Sequence, residues 1–465
     1  MIKVVGTIVF AVAGSLVCLL EPISGLERAG NLVTGTIIIS LGLWVFRPGA
    51  IPYAAGCSVF LTGCLIAGLK YPVVMSGYSS SAIWVLIPAL FFGYVLQKTL
   101  LAKRIVYWTL KIIRPTYPSI ILAWVVAGLV LSFLTPSATL RILTMVPIAL
   151  GTVEACGLEF KSRGGSLICL TAFGMALFPG AGWYTGCLWG PIYIGMFPAE
   201  LKALGTPSAW LQGNALFWAV MTLLYIILLN ILLKPERPLQ LDRDAFKAQY
   251  VQLGRMSRDE IVVGAILVAA FAMFFTESIH GIPTVPVALT GFFLLMAFGV
   301  ITSSDIATGV SWDIILFLGA VISLPSISME SGIAKWISVY MDPLISTCAG
   351  SPVTFLLLFI LLFWLIRFVD VSFGFATAAI MAPVMVPLYN NFGIHPIIVG
   401  TVFAIGSGFF FLSYQNPWIV MSESLTNGNV WSPQNLARGG IAYAVACLLA
   451  VLIVSPYWKA IKFIP

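Results

Sequence analysis

Charged residues, histidines and paired cysteines are all scarce in this 465-residue chain. Only 9% of the residues are charged, and His280 and His395 are the only histidines, which leaves little material for a metal site. The eight cysteines lie singly, and none forms a C-x-x-C pair typical of zinc or redox sites. The motifs H-E-x-x-H, G-x-S-x-G and G-x-x-x-x-G-K-S/T are missing as well, which argues against an intramembrane enzyme and an ATP-driven pump.

Long apolar runs dominate the sequence instead. The chain is 60% hydrophobic with a mean hydropathy of +1.04, and runs such as Phe217–Leu233 and Ile441–Val454 recur along it. A helix needs about 20 residues to cross a hydrocarbon core about 30 Å thick, whereas a membrane β-barrel would show short alternating segments. The sequence therefore predicts an all-α polytopic protein of the lipid bilayer. Residues 2–20 are apolar for too long to be a cleaved signal peptide.

The basic charge is concentrated between apolar spans. The net charge is +7, and much of it lies in residues 98–114 and 234–258, where the positive-inside rule expects cytoplasmic loops. This distribution argues against a nucleic-acid partner. It predicts a multi-pass protein of the inner (cell) membrane with a cytoplasmic N-terminus and an extracytoplasmic C-terminus.

Two pairs of segments indicate an internal duplication. Residues 82–105 resemble residues 311–337, and residues 137–147 resemble residues 373–383, in the same order and at nearly the same offset. An even number of crossings between the copies would invert the second copy, an arrangement typical of secondary transporters. The predicted units are N-terminal helices over 1–70, a first inverted repeat over 71–233 with a re-entrant hairpin at about 119–150, a cytoplasmic linker over 234–259, and a second inverted repeat over 260–465 with a re-entrant hairpin at about 352–390.

The stretch LTPSATLRILTMVPIAL (134–150) predicts a ligand site at the tip of the first hairpin. Pro136 cannot donate a helix hydrogen bond, so the chain should open there and a new helix should start after it. The free amides and the hydroxyls of Ser137 and Thr139 would suit a carboxylate or another anion, and Arg141 adds positive charge. The alternative is an ordinary kinked span in which Arg141 extends to the cytoplasmic surface.

These motifs resemble the divalent-anion:sodium symporter (DASS) family of di- and tricarboxylate and sulfate transporters. Ser137 and Thr139 match its first S-N-T signature, although Ala138 stands where the asparagine belongs. FVDVSFGFATAAIMAPVMVPL (368–388) is similar to its second signature, but Phe373-Gly374-Phe375 replace S-N-T. The resemblance extends to residues 254–267, 280–322 and 431–458 and so covers most of the chain.

The family also has a broken helix in each half. FPGAGWYTG (178–186) and SYQNPWIV (413–420) occupy those places, although either could be a turn at the end of a span. The resemblance implies that tips and broken helices coordinate sodium and hold substrate carboxylates, and that the protein is a homodimer with an elevator-like motion. Because Ala138 and the two phenylalanines remove oxygen ligands, sodium coupling is doubtful. Asp370 could take up a proton instead, or simply pair with Arg367.

The sequence therefore predicts a secondary transporter of a small anion, either dicarboxylate-like or sulfate-like. The alternatives are a ligand-binding protein of the same scaffold that does not transport, or an intramembrane enzyme. No cofactor is expected beyond Na⁺ or H⁺ as the coupling ion. The residues expected to bind substrate are Ser137, Ala138, Thr139, Arg141, Gly374, Ala376, Thr377, Asn416 and Pro417. The residues expected to bind the coupling ion are Ser137, Thr139, Gly180, Gly182, Asp370, Gln415 and Asn416.

Overall fold

Every regular element that the structure describes is helical. The structure is a computed structural model that describes residues 2–112, 116–237, 239, 243–337, 339, 351–370 and 373–465. The helices of the first half are α1 Ile2–Leu19, α2 Arg28–Phe46, α3 Tyr53–Ile66, α4 Tyr71–Val74, α5 Ser81–Lys98, α6 Leu101–Leu110, α7 Tyr117–Leu134, α8 Ala138–Ala155, α9 Arg163–Leu177, α10 Trp189–Gly195 and α11 Pro207–Leu232.

The second half continues in the same way. Its helices are α12 Arg243–Gln252, α13 Arg258–Phe275, α14 Glu277–His280, α15 Thr284–Ala297, α16 Ser303–Thr308, α17 Trp312–Glu330, α18 Pro352–Ile366, α19 Phe375–Met381, α20 Met385–Phe392, α21 Pro396–Gly408, α22 Pro417–Leu425 and α23 Pro433–Ala460. Among the described residues, eight helices are long and apolar enough to cross a membrane, and five shorter apolar helices accompany them. The prediction of an all-helical polytopic membrane protein is confirmed.

Proline and hydroxyl residues fix where several helices begin. Proline is at the first position of α11 and α23, where its missing N–H removes no helical hydrogen bond. The side chains just before these helices, Thr206 and Ser432, accept hydrogen bonds from the backbone of the first turn. At α13, Ser257 and Glu260 cap each other's backbone N–H groups in a capping box. These local signals start helices independently of tertiary packing.

Helices α7 and α8 form a hairpin that turns within three residues, Thr135–Ser137. Both arms pack against α9. The start of α7 lies close to the chain that follows α8, since Tyr117 shares a small cavity with Gly157 and Glu159. The two open ends of the hairpin therefore lie on the same side, with the turn at the far end.

Two helices are interrupted inside the protein. After α9 the chain forms a short 3-10 helix, Pro179–Gly182, before α10 begins at Trp189. After α21 it runs extended at Phe409 and Leu412, forms a 3-10 turn over Ser413–Gln415 and enters α22 at Pro417. The predicted site residues that lie in these two interruptions are buried. These interruptions are called the first break (178–188) and the second break (409–416).

The segment predicted as the second hairpin (352–390) is less regular than the first hairpin. α18 ends at Ile366, and the chain turns through Phe373 and Gly374, which have φ angles of 60° and 72°. α19 follows, then the 3-10 helix Ala382–Val384 and α20. Val371 and Ser372 lie outside the described residues. Glycine tolerates the left-handed conformation at 374, whereas Phe373 adopts it at some cost in strain.

The segment predicted as a linker contains a helix of its own. α12 packs against α6, with Lys111 Nζ lying 3.6 Å from the ring centroid of Tyr250. Arg104 of α6 is buried and donates to the Gly254 carbonyl of the linker at 2.9 Å and to Glu260, just after the linker, at 3.0 Å. The linker is therefore bound to the helical body by charged contacts. The boundaries proposed for the repeats, and their inverted relation, stay predictions.

Candidate functional site

The tips of the two hairpins meet at one cavity. Its volume is about 170 Å³, and its walls include Ser137 and Thr139 from the first tip and Phe373 and Phe375 from the second. Trp418, which follows the second break, lies between the two tips and lines the same cavity. Segments more than 200 residues apart in the sequence thus form one concave site.

Direct contacts join the two halves at this cavity. The indole N–H of Trp418 donates to the Thr139 hydroxyl at 3.0 Å. The Phe373 ring packs edge-on against Trp418 with centroids 5.0 Å apart, and Phe373 stacks on Phe375 at 5.6 Å. Thr139 is therefore held by an aromatic cluster from the opposite half.

The cavity has a hydroxyl-bearing wall and an apolar wall. Tyr94 and Gln97 of α5 and Ser311 before α17 complete its polar lining. The apolar side chains that line it, besides the aromatic cluster, are Leu90, Leu140, Leu143, Leu188, Val310, Ile314 and Leu318. Among the residues that the structure describes, none of those lining the cavity carries a charge. An anion in this cavity would be held by hydroxyl and backbone dipoles.

The first tip is shaped by its own side chains. Thr135 Oγ1 accepts from the Ser137 amide at 3.1 Å, and Ser137 Oγ accepts from the Leu140 amide at 3.3 Å. α8 begins at Ala138, so its N-terminus is directed at the cavity as the sequence predicts. Gly93 allows α5 to approach, because a Cβ at this position would lie 2.8 Å from Ser137 Cβ.

Arg141 does not line the cavity. Its side chain has no exposed surface, so the alternative in which it extends to the membrane surface is wrong. Nε donates to the Ala176 carbonyl at 2.6 Å, and Nη1 donates to the carbonyls of Thr135 and of Gly186, the latter at 2.9 Å. The guanidinium therefore lies behind the tip and joins it to the first break.

Arg367 occupies a comparable place in the second half. It is also fully buried and donates to the Asp370 carbonyl and to the Gln415 carbonyl of the second break. Its Nη1 lies 3.9 Å from the Asp370 carboxylate, to which Thr377 donates at 2.5 Å. The pairing of Arg367 with Asp370 predicted from their spacing is confirmed.

The polar side chains of the second break stabilise the break itself. Gln415 Oε1 accepts from the amides of Phe411 and Leu412 at 2.9 and 2.7 Å. Asn416 accepts from the Trp418 amide at 3.0 Å and donates to the Gly408 carbonyl at 3.3 Å. These contacts satisfy backbone groups that the interrupted helix leaves unpaired.

The other predicted residues do not line the cavity. Ala138, Gly374 and Ala376 are buried beside the tips, Pro417 begins α22, and Gly180 and Gly182 form the 3-10 turn of the first break. Of the predicted set, Ser137 and Thr139 line the cavity. Sequence reasoning did not single out Trp418, Tyr94, Gln97 or Ser311. Of these, Trp418 had a local signal, since it directly follows Asn416-Pro417.

A charged cluster lies beside the cavity. The Tyr94 hydroxyl, on a residue of the cavity wall, donates to Asp305 at 2.5 Å, and Lys98 Nζ lies 2.6 Å from the same carboxylate. Burial raises the pKa of Asp305, but hydrogen bonds from Lys98, Tyr94 and Thr302 outweigh it and hold this pKa well below its usual range. Asp305 is therefore ionised and fixes one side chain of the cavity wall.

Comparisons with known proteins agree with the resemblance seen in the sequence. The family described as the sodium:sulfate symporter transmembrane region matches residues 2–464. A membrane protein of Cupriavidus necator is 24% identical over 97% of this chain and 91% of its own length. Dicarboxylate transporter 1 of Arabidopsis thaliana chloroplasts is 21% identical, over 58% of this chain and 50% of its own length.

A third relative is also a membrane protein, and a solved structure shares the fold. The inner membrane protein YbhI of Escherichia coli is 23% identical over 80% of this chain and 79% of its own length. The crystal structure of the Alcanivorax borkumensis YdaH transporter superposes with a TM-score of 0.58 at 15% identity, covering 94% of this chain and 100% of the other. At this identity the superposition shows a shared fold.

Proposed function

Because this chain belongs to the sodium:sulfate symporter (DASS) family, we propose that it moves a small anion across the inner membrane by alternating access. The single observation that supports this most is the cavity between the two hairpin tips. It contains the N-terminus of α8 with its hydroxyls, and it is lined by both halves of the chain. A site between two halves that can move against each other suits a transporter.

The two walls of the cavity support a proposal for the substrate class. Dicarboxylate-like and sulfate-like anions are the starting candidates from the family resemblance. The hydroxyls of Ser137 and Thr139 suit one anionic group, whereas Phe373, Phe375 and Trp418 fill the space opposite them. A second carboxylate against these rings would lose its hydration without gaining a hydrogen bond. We therefore expect a smaller or more apolar anion than citrate.

The proposed motion is elevator-like, within inverted repeats. This proposal is supported by the first hairpin, whose open ends lie on one side, and by the contact between the end of α5 and the segment before α17, where Lys98 donates to the Val300 carbonyl at 2.9 Å. In an inverted pair the equivalent helices α5 and α17 run in opposite directions, so that the end of α5 lies on the side where α17 begins. The homodimer, the cytoplasmic N-terminus and the extracytoplasmic C-terminus are part of the same proposal.

Two features of the site argue against a bound sodium ion and support a proposal for the coupling. Sodium needs several oxygen ligands, and Phe373–Phe375 supply no side-chain oxygen at the second tip. At the first tip, the carbonyl of Thr135 is already occupied by Arg141. We propose coupling to protons or anion exchange instead of sodium symport.

Uptake into proteoliposomes tests this function. A panel of radiolabelled mono-, di- and tricarboxylates and sulfate is assayed with sodium or with choline at fixed pH. We expect saturable uptake of one class with little dependence on sodium. Thr139→Val should raise the half-saturating concentration roughly 5- to 13-fold, because one hydrogen bond is worth about 1–1.5 kcal/mol.

Thr152→Val is the matched control for this variant. Thr152 lies in the same helix, but its hydroxyl donates only to the Ile148 carbonyl of that helix at 2.8 Å, so uptake should be unchanged. Binding of a panel anion without uptake would favour the ligand-binding alternative. A steep sodium requirement with a Hill coefficient near two would contradict the proposed coupling.

A further inference from the structure

Two arginines are buried at the two helix breaks, where an apolar membrane protein should not tolerate isolated charge. Arg141 and Arg367 have no exposed side-chain surface. Arg at the centre of a span costs about 2.5–3.5 kcal/mol on insertion scales, and a buried charge is stable only when it is hydrogen-bonded or paired. Both arginines therefore need partners that offset this cost.

Most of these partners are backbone carbonyls. Arg141 binds carbonyls of the first tip at Thr135, of the end of α9 at Ala176 and of the first break at Gly186. A helix break leaves carbonyls without their usual helical donors, and inside a membrane no water replaces these donors. Such a cluster of carbonyl oxygens is also what a soluble cation binds. At the first break a guanidinium already occupies it.

In the second half, Arg367 makes contacts of the same kind, but it lies at a different position relative to its tip. Arg367 donates to the carbonyls of Asp370 at the second tip and Gln415 at the second break. Arg141 follows its tip, whereas Arg367 precedes its own. The two arginines are therefore not equivalent positions of the repeat, yet each joins a tip to a break.

The first break is shaped around its guanidinium. A Cβ on Gly180 would lie 2.8 Å from Arg141 Nη2 and would overlap the Gly186 carbonyl oxygen. Gly180 does not have a positive φ angle, so glycine is required here for the close approach of the Gly186 carbonyl and of the arginine, and not for backbone freedom. Among the described residues, Nη2 of Arg141 has no hydrogen-bond partner, so the guanidinium keeps one side free for a polar group.

We propose that Arg141 and Arg367 are tethered cations that occupy the carbonyl clusters of the two breaks in place of soluble cations. Each guanidinium presents a fixed planar set of N–H donors that a spherical ion lacks, and it cannot dissociate. The tips therefore stay joined to the breaks in every state of the protein. For transport, which rests on the proposed function, this means that no monovalent cation has to bind at either break.

Chemical rescue tests the proposal without any substrate. Purified Arg141→Ala is melted in detergent with low millimolar guanidinium chloride, and with potassium chloride at equal ionic strength. We expect the variant to melt below the wild type and guanidinium to recover most of that difference, because a free guanidinium can refill the emptied cluster. The wild type should melt at the same temperature in sodium and in choline chloride.

Arg28→Ala is the matched control. Arg28 also donates to a backbone carbonyl, that of Leu20 at 3.0 Å, but it is exposed, so guanidinium should not raise its melting temperature. Equal effects on both variants, or no rescue of Arg141→Ala, would overturn the proposal, as would saturable stabilisation of the wild type by sodium. If Arg141→Ala does not fold, the same guanidinium melts are carried out on Arg141→Lys, and the sodium titration of the wild type is judged by the same criterion. A protein that passes this test but fails to transport would contradict only the proposed function.

Discussion

Alanine substitution at Gly180 should destabilise the protein much more than alanine substitution at Gly182, although both glycines lie in the same turn of the first break. A Cβ on Gly180 would lie 2.8 Å from Arg141 Nη2 and 2.9 Å from the Gly186 carbonyl carbon. A Cβ on Gly182 would meet its nearest atom, Ala215 Cα, at 3.4 Å, which is an ordinary contact. Neither glycine has a positive φ angle. The two variants therefore differ in packing and not in backbone strain.

The expected cost can be worked out from these distances. Overpacking of a buried site costs about 1–3 kcal/mol, and Gly180→Ala should reach about 3–5 kcal/mol if Arg141 loses its carbonyl partners. An unfolding entropy of roughly 2.1 cal/mol/K per residue gives about 1 kcal/mol per degree for a chain of this length. Gly180→Ala should therefore lower the melting temperature by about 1–5 °C, and Gly182→Ala by less than about 1 °C.

The assay is thermal melting in detergent followed by tryptophan fluorescence, together with uptake into proteoliposomes. Gly180→Ala should also lower uptake, because displacement of Arg141 displaces the first tip, whereas Gly182→Ala should retain it. Equal melting temperatures for the two variants would refute the reasoning. So would a Gly182→Ala variant that is the less stable of the two, since the turn would then need glycine for another reason.

Two further predictions concern pH and topology. Burial lowers the pKa of His395 to about 4 from its usual 6.5. The unfolded chain therefore takes up a proton before the folded one does, so the contribution of His395 to stability should be constant above pH 6.5 and fall as the pH drops from 6.5 towards 4. In thermal melts, the stability of His395→Gln should no longer fall between pH 6.5 and 4. A pH dependence that persists in this variant would belong to another group. The variants Pro118→Cys and Glu154→Cys, each in a cysteine-free background, should both react with an impermeant maleimide from the cytoplasmic side. Labelling of the two variants from opposite sides would exclude a re-entrant first hairpin.

The sequence by itself determined the helical membrane class and the places where helices start and stop. These features depend on short-range chemistry, such as the length of an apolar run, the missing N–H of Pro136 and the capping hydroxyl of Ser137. The interruption before Pro417 could be predicted for the same reason. A chain carries such signals wherever it is placed, so no tertiary contact is needed to recognise them.

Tertiary structure alone decided what the side chains at these places contact. Thr139 is 279 residues from Trp418, and Arg141 is 45 residues from Gly186, so no local spacing relates the partners. From the sequence, Arg141 could face an anion or extend to the surface. In the fold it does neither, because its guanidinium donates to backbone carbonyls of the first tip and beside the first break, and a helix break leaves such carbonyls without helical donors.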